Sequence, residues 1–268
     1  MAEIEAIVCD FGGVLTTPLL SSFMAVQDEI GISPETLGQA MRALTEEDGD
    51  NPLFALERGE VTEVTFLERL ADGLEPLLGQ RPQLHRFREI YFAALHPNQP
   101  MIALMRELQA DGKRMAMLTN NVREWEPLWR SMLPVDEIFE TVVDSAFVGL
   151  RKPEARIYEL TLERLGLPAG ACLFVDDLEH NCEGARATGM NTVTRTVGGA
   201  FGGAATASLI AGTVGASGYP TPHGYTIAFA LCAVALAIGV GAGFFIPSRR
   251  PEQTFEPHAS GDLLESAG

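Results

Sequence analysis

The strongest constraint on the fold is the run Ile4-Glu5-Ala6-Ile7-Val8-Cys9, which ends in Asp10 and breaks at once into Phe11-Gly12-Gly13. A short apolar, β-branched run that stops at glycines reads as a buried parallel strand followed by a loop. An acid at the carboxyl end of such a strand stands where open α/β sheets place their ligands. Asp10 is therefore the first residue to suspect of chemistry, although strand ends also supply turn and helix-capping carboxylates.

From Pro100 onward the chain alternates between helix and strand. A helix is expected over residues 100–111, closed at Asp111-Gly112, and a strand over 114–118. A helix carrying Trp125 and Trp129, spaced four apart as packing residues on one face, leads to a short strand near 140–143. A loop with Lys152, a helix over 154–165, a strand over 172–175, a helix to Gly189 and a last strand over 191–195 complete the series. Alternation of this kind makes a doubly wound parallel sheet.

Residues 17–96 are too long for a loop and need structure of their own. Apolar residues recur at helical spacing: Leu19, Phe23 and Val26; Leu37, Met41 and Leu44; Phe66, Leu67, Leu70 and Leu74; Phe87, Ile90 and Phe92. Ser33-Pro34-Glu35 and Thr62-Glu63 have the form of helix starts. The insertion reads as a bundle of four or five helices, in which His85, Arg86 and Arg88 form a solvated face.

Four stretches follow one another in a fixed order at strand ends or in the loops after them. They are Asp10-Phe11-Gly12-Gly13, Leu118-Thr119-Asn120-Asn121, Gly149-Leu150-Arg151-Lys152-Pro153, and Phe174-Val175-Asp176-Asp177 with Asn181 beyond. In this order they resemble the haloacid dehalogenase (HAD) superfamily, most closely the group that includes the amino-terminal phosphatase domain of soluble epoxide hydrolase. The resemblance covers residues 4–195. It implies an α/β fold, a doubly wound parallel sheet of the HAD-like Rossmannoid type, with a helical cap inserted after strand 1. The core would comprise residues 1–16 and 97–197, and the cap residues 17–96, closing over the site and choosing the substrate.

The same resemblance implies roles. Asp10 would be nucleophile and metal ligand, with the Gly12 carbonyl and Asp177 completing a Mg2+ site and Asp176 as outer-shell or alternate ligand. Thr119 and the amides of Asn120 and Asn121 would bind the phosphoryl oxygens of a small phosphorylated substrate. Lys152 would neutralise the charge developing on them, and Asn181 would orient the Asp loop. The chain departs from the family at Gly12, where phosphatases of the superfamily usually carry a second Asp as general acid and base. Losing such a group typically costs about a hundredfold to ten-thousandfold in rate. Three functions stay open: a Mg-dependent phosphomonoester hydrolase, an attenuated phosphate- and metal-binding regulatory module, and a fusion or misjoined product without independent function.

A formal net charge of -17 argues against a nucleic-acid partner, since no phosphate-neutralising face is available. The four cysteines lack metal-ligand spacing and no secretory signal precedes them, which suits a reducing, cytoplasmic setting for the first 197 residues. After Arg195 no Asp, Glu, Lys or Arg occurs until Arg249. Residues 198–248 therefore read as a membrane segment of one helix or a hairpin, with 225–246 long enough to span a bilayer and 249–268 a polar tail. Arg195 before it and Arg249-Arg250 after it favour a hairpin with both ends cytoplasmic. Residues 194–250 also resemble the last two helices of multidrug transporters of the major facilitator superfamily, without the rest of a translocation path.

Overall fold

Strand β1 (Ala6–Cys9) is buried along its whole length and hydrogen-bonded on both sides. Its neighbours are β2 (Arg114–Thr119) and β4 (Cys172–Asp176); β3 (Thr141–Asp144) lies outside β2 and β5 (Asn191–Thr194) outside β4. All pairings are parallel, in the order β3-β2-β1-β4-β5, with Val8 in register with both Ala116 and Phe174. Because the chain runs outward from β1 on one side and then restarts on the other, its strand order reverses between β1 and β4. Ligands of open sheets bind in the crevice at such a point, beyond the carboxyl ends of the strands.

This computed structural model describes residues 3–194. The expected membrane segment 198–248, the polar tail 249–268 and the transporter resemblance lie outside the described residues. Among the described residues no helix is long and apolar enough to cross a membrane.

Five helices occupy the interval after β1: α1 (Leu19–Ile30), α2 (Pro34–Asp48), α3 (Pro52–Glu57), α4 (Glu63–Leu78) and α5 (Phe87–Ala93). Ser33 and Thr62 cap α2 and α4, their hydroxyls accepting from Thr36 N at 3.1 Å and Thr65 N at 3.2 Å. α3 is not anticipated by the apolar spacing, because six residues cannot repeat a face; Asn51 caps it and Pro52 starts it. After α6 (Gln99–Ala110) and β2, the single helix expected around Trp125 and Trp129 is divided. A 3-10 turn (Arg123–Trp125) ends at Trp125, and α7 (Glu126–Ser131) begins with Pro127 in its first turn. Trp129 is fully buried, whereas Trp125 joins Tyr91 and Phe92 of α5 at ring distances of 5.2 and 5.3 Å. The remaining helices are α8 (Val135–Ile138), α9 (Ser145–Val148), α10 (Ala155–Leu165) and α11 (Glu179–Ala187).

Alternation along β1 divides the core. Ile7 and Cys9 pack with the apolar faces of the insertion and α6, whereas Ala6 and Val8 pack with Ile157, Tyr158 and Cys182 of α10 and α11 on the other face.

Candidate active site

Asp10 follows β1 directly and continues its ladder, its N–H donating to Val175 O at 2.9 Å. Its Oδ1 accepts from Phe11 N at 2.7 Å and faces Lys152 Nζ at 2.8 Å. That ammonium, 1% exposed, reaches Asp176 Oδ2 at 2.7 Å. Lys152 thus bridges acids at the ends of β1 and β4, across the crevice between them. The loop after Asp10 is fixed by Thr16, whose Oγ1 accepts from Gly13 N at 3.0 Å, and by Asn98, which donates to Val14 O at 2.8 Å.

Asp176 is saturated with donors. Lys152 and Asn181 Nδ2 meet Oδ2, while Leu178 N (2.8 Å) and the same Asn181 nitrogen (3.0 Å) meet Oδ1. Asn181 therefore orients the acid loop. Asp177 lies against Gly13: a Cβ there would fall 2.2 Å from Asp177 Oδ2, and Gly13 has φ +69°. Only glycine lets the two loops approach this closely. One ligand oxygen from each of Asp10, Asp176 and Asp177 lies within 4.8 Å of the others.

Burial pushes the Asp10 carboxyl up to about 8; Lys152 opposes the rise, and the charges of Asp176 and Asp177 add to it. Burial draws the Lys152 ammonium down, but Asp10 and Asp176 outweigh it and hold its proton more firmly than in water. Three carboxyl groups set around one ammonium make the cluster rich in hard oxygen donors, and the raised Asp10 carboxyl marks how little cation it holds. That donor set fits a divalent cation such as Mg2+. Asp176 already spends both oxygens on protein donors.

Thr119 ends β2, paired in register with Asp144 of β3; it is buried, and its hydroxyl donates to Asn120 O at 3.4 Å. Asn120 turns its side chain to Lys152, accepting from Lys152 N at 2.8 Å and donating to Lys152 O at 3.0 Å. The backbone N–H of Asn121 donates to Ser145 Oγ at 3.0 Å, where a phosphoryl oxygen was expected. Gly12 faces the insertion: a Cβ there would meet Leu19 Cδ1 at 3.3 Å.

Glu57, which the sequence reading does not single out, and Arg151, named there only as part of the Lys152 stretch, complete the surroundings. Glu57, at the end of α3, accepts through Oε2 from Arg151 Nε at 2.7 Å and Asn120 Nδ2 at 3.3 Å. Burial pushes its carboxyl up, with Arg151 opposing. Arg151 also stands over the Phe54 ring, 3.7 Å from its centroid.

Among known proteins, phosphatase MT3486 of Mycobacterium tuberculosis is 29% identical over 199 residues, covering 70% of this chain and 85% of that protein. Two other relatives are far longer than this chain. It spans 35% of rat bifunctional epoxide hydrolase 2 (25% identical over 198 residues, 69% of this chain) and 18% of mouse acyl-CoA dehydrogenase family member 10 (29% over 196 residues, 70% of this chain). The crystal structure of a HAD family enzyme from Bacteroides thetaiotaomicron, a magnesium complex, shares the fold with a TM-score of 0.55 at 22% identity, covering 74% of this chain and 96% of that one. Residues 4–189 match the family of haloacid dehalogenase-like hydrolases, a span that holds every residue of the cluster above, and the chain belongs to that family.

Proposed function

We propose that the protein hydrolyses phosphomonoesters through an aspartyl-phosphate on Asp10. The observation that carries this reading is the Lys152 ammonium held at 2.8 and 2.7 Å between Asp10 and Asp176. Both donors to Asp10 fall on Oδ1, so Oδ2 is the attacking oxygen. It forms a bond to phosphorus as the ester P–O bond breaks and the leaving oxygen departs. Lys152 has three N–H donors, two of them directed at the acids, and the third meets a phosphoryl oxygen as its charge develops. Water then attacks phosphorus, releases inorganic phosphate and frees the Asp10 carboxylate.

Mg2+ would be held by Asp10, the Gly12 carbonyl and Asp177, with Asp176 behind them, and would offset the charge of the phosphoryl group and of the acidic cluster. Thr119 and the amide of Asn120 bind phosphoryl oxygens in this reading. Gly12 offers no proton, so the leaving oxygen takes one from water. Good leaving groups are therefore turned over well and alkyl phosphates poorly.

The test is Mg-dependent hydrolysis of p-nitrophenyl phosphate beside an alkyl phosphate. Asp10→Asn reduces both to background, because an amide neither attacks phosphorus nor binds the cation as a carboxylate does. Gly12→Asp narrows the gap between the two esters by about a hundredfold, once Leu19 shifts to admit the side chain. Equal rates for wild type and Asp10→Asn reject the nucleophile. Wild type that binds Mg2+ and phosphate without turning over either ester is a binding module instead.

A further inference from the structure

We propose that Glu57 is a positioning residue for the Lys152 loop, so that docking of the helical insertion and placement of the Lys152 ammonium are one event. The proposal rests on the reading of Lys152 as the group that neutralises the phosphoryl oxygens.

Lys152 is gripped through its peptide groups. Asn120 Oδ1 accepts its N–H at 2.8 Å and Asn120 Nδ2 donates to its carbonyl at 3.0 Å. The Lys152 N–H and carbonyl, of opposite polarity, already favour one sense of this amide, and Glu57 braces it in that sense, its Oε2 taking Nδ2 at 3.3 Å. The turned amide would set Oδ1 against this carboxylate and Nδ2 against the Lys152 N–H, a loss on both sides. The same Oε2 accepts from Arg151, the residue before Lys152, at 2.7 Å. One carboxylate oxygen thus holds the loop at Arg151 and braces the amide that holds Lys152 itself.

Glu57 belongs to the insertion, and its helix is seated firmly on the sheet edge. The side chains of Glu57 and Arg151 are 15% and 10% exposed. In the turn after α3, a Cβ on Gly59 would fall 2.2 Å from the carbonyl oxygen of Ala146 in α9. Withdrawing α3 therefore removes Glu57 from Arg151 and Asn120 together. A group misplaced by about 1 Å costs roughly a hundredfold in rate, and Lys152 has to meet Asp10 and Asp176 at once.

The experiment compares Glu57→Ala, Asn120→Ala and the double variant in Mg-dependent p-nitrophenyl phosphate hydrolysis, with Asp10→Asn alongside and thermal unfolding of each. Glu57→Ala is expected to lower kcat about tenfold to a hundredfold with little change in KM, because the lost interaction serves the transition state. The double variant is expected to lose no more than the worse single one, since both act through one grip. Losses that multiply, or a lowered Tm with unchanged kcat for the folded protein, overturn the proposal. If Glu57→Ala does not fold, Glu57→Gln and Glu57→Leu decide. A glutamine oxygen can still accept from both donors, so Glu57→Gln must hold kcat closer to wild type than Glu57→Leu, which offers them no acceptor and must lower kcat. Asp10→Asn inactive with Glu57→Ala at wild-type rate sinks this proposal alone, whereas Asp10→Asn at wild-type rate sinks the hydrolase reading and this one with it.

Discussion

At the carboxyl edge of the sheet, Lys152 reaches Asp10 and Asp176 at 2.8 and 2.7 Å with all three side chains nearly or fully buried. On the outer side of the insertion, Arg69 of α4 reaches Asp48 of α2 at 2.6 Å and Glu47 at 3.0 Å, and these side chains are 31%, 39% and 70% exposed. The distances are alike and the physics is not. Water screens the exposed pair, and ordering long side chains offsets what attraction is left. In the buried cluster attraction is strong, but each charge has lost its hydration, so such a group is weak evidence for stability and becomes very costly when one partner is removed. The insertion is held to itself by apolar packing and the sheet edge holds charge in readiness for chemistry. Glu57 is where the insertion contributes a buried charge to that edge.

The largest effect that tests this contrast is Lys152→Met. With the ammonium gone, Asp10 and Asp176 are left without their cation, and breaking a buried pair costs about 3–5 kcal/mol. Urea denaturation at pH 8 is expected to show that loss. It should shrink at pH 5, where the stranded Asp10, already pushed up by burial, takes up a proton. Turnover falls about a hundredfold to a thousandfold or more. A variant as stable as wild type at pH 8 would mean that the cluster is no more demanding than the surface pairs.

The two regions also differ in how far the sequence discloses them. Asp10, Lys152, Asp176 and Asp177 were accessible because each stands at a strand end or in the loop after one, marked by its own apolar run and glycines or proline. The course of the sheet follows from the same local signals. Glu57 carries no such mark. Its partners Asn120 and Arg151 are 63 and 94 residues away, and only the fold brings them to it. The phosphate role of the Asn121 amide comes from the family resemblance alone, and its bond to Ser145, 24 residues further on, is a contact only the fold supplies. Apolar spacing found the long helices of the insertion but not α3, which is shorter than two turns and set by Asn51 and Pro52. The helix assumed from Trp125 to Trp129 failed because equal spacing on one face does not show that the turns between are continuous.

A second, somewhat smaller effect concerns a buried acid beside the cluster. Asp144 ends β3 and accepts from Ala146 N at 3.0 Å. Burial pushes its carboxyl up to about 7, the Ala146 N–H opposing. Between its unfolded value near 3.8 and about 7, the folded protein keeps this proton while the unfolded chain has lost it. The folded state binds more protons, so stability falls as pH rises through that window and levels off above it. Asp144→Asn removes this slope while keeping the acceptor for Ala146. Denaturation at pH 4 and pH 7.5 should show the variant gaining on wild type by about 2–4 kcal/mol. Parallel pH profiles for the two proteins would show that Asp144 is not held neutral by burial.

The smallest effect is expected from the exposed side of the contrast, at Arg69→Gln. Two acids face this guanidinium at short range, and contact distance alone would rank the site with Lys152. The helices it links are held by other means. Leu37, Ala40 and Leu44 of α2 are buried, as are Leu70, Ala71 and Leu74 of α4. Leu44 packs so closely over Gly73 that a Cβ there would come within 2.8 Å of Leu44 Cγ. Removing the charge leaves that packing untouched and the three polar ends hydrated. Wild type and Arg69→Gln should therefore share one urea midpoint, both at physiological salt and at 1 M salt, where screening has shortened the reach of surface charge to about 3 Å. A drop in the midpoint approaching that of Lys152→Met would break the contrast, for it would show an exposed pair doing what burial is held here to require.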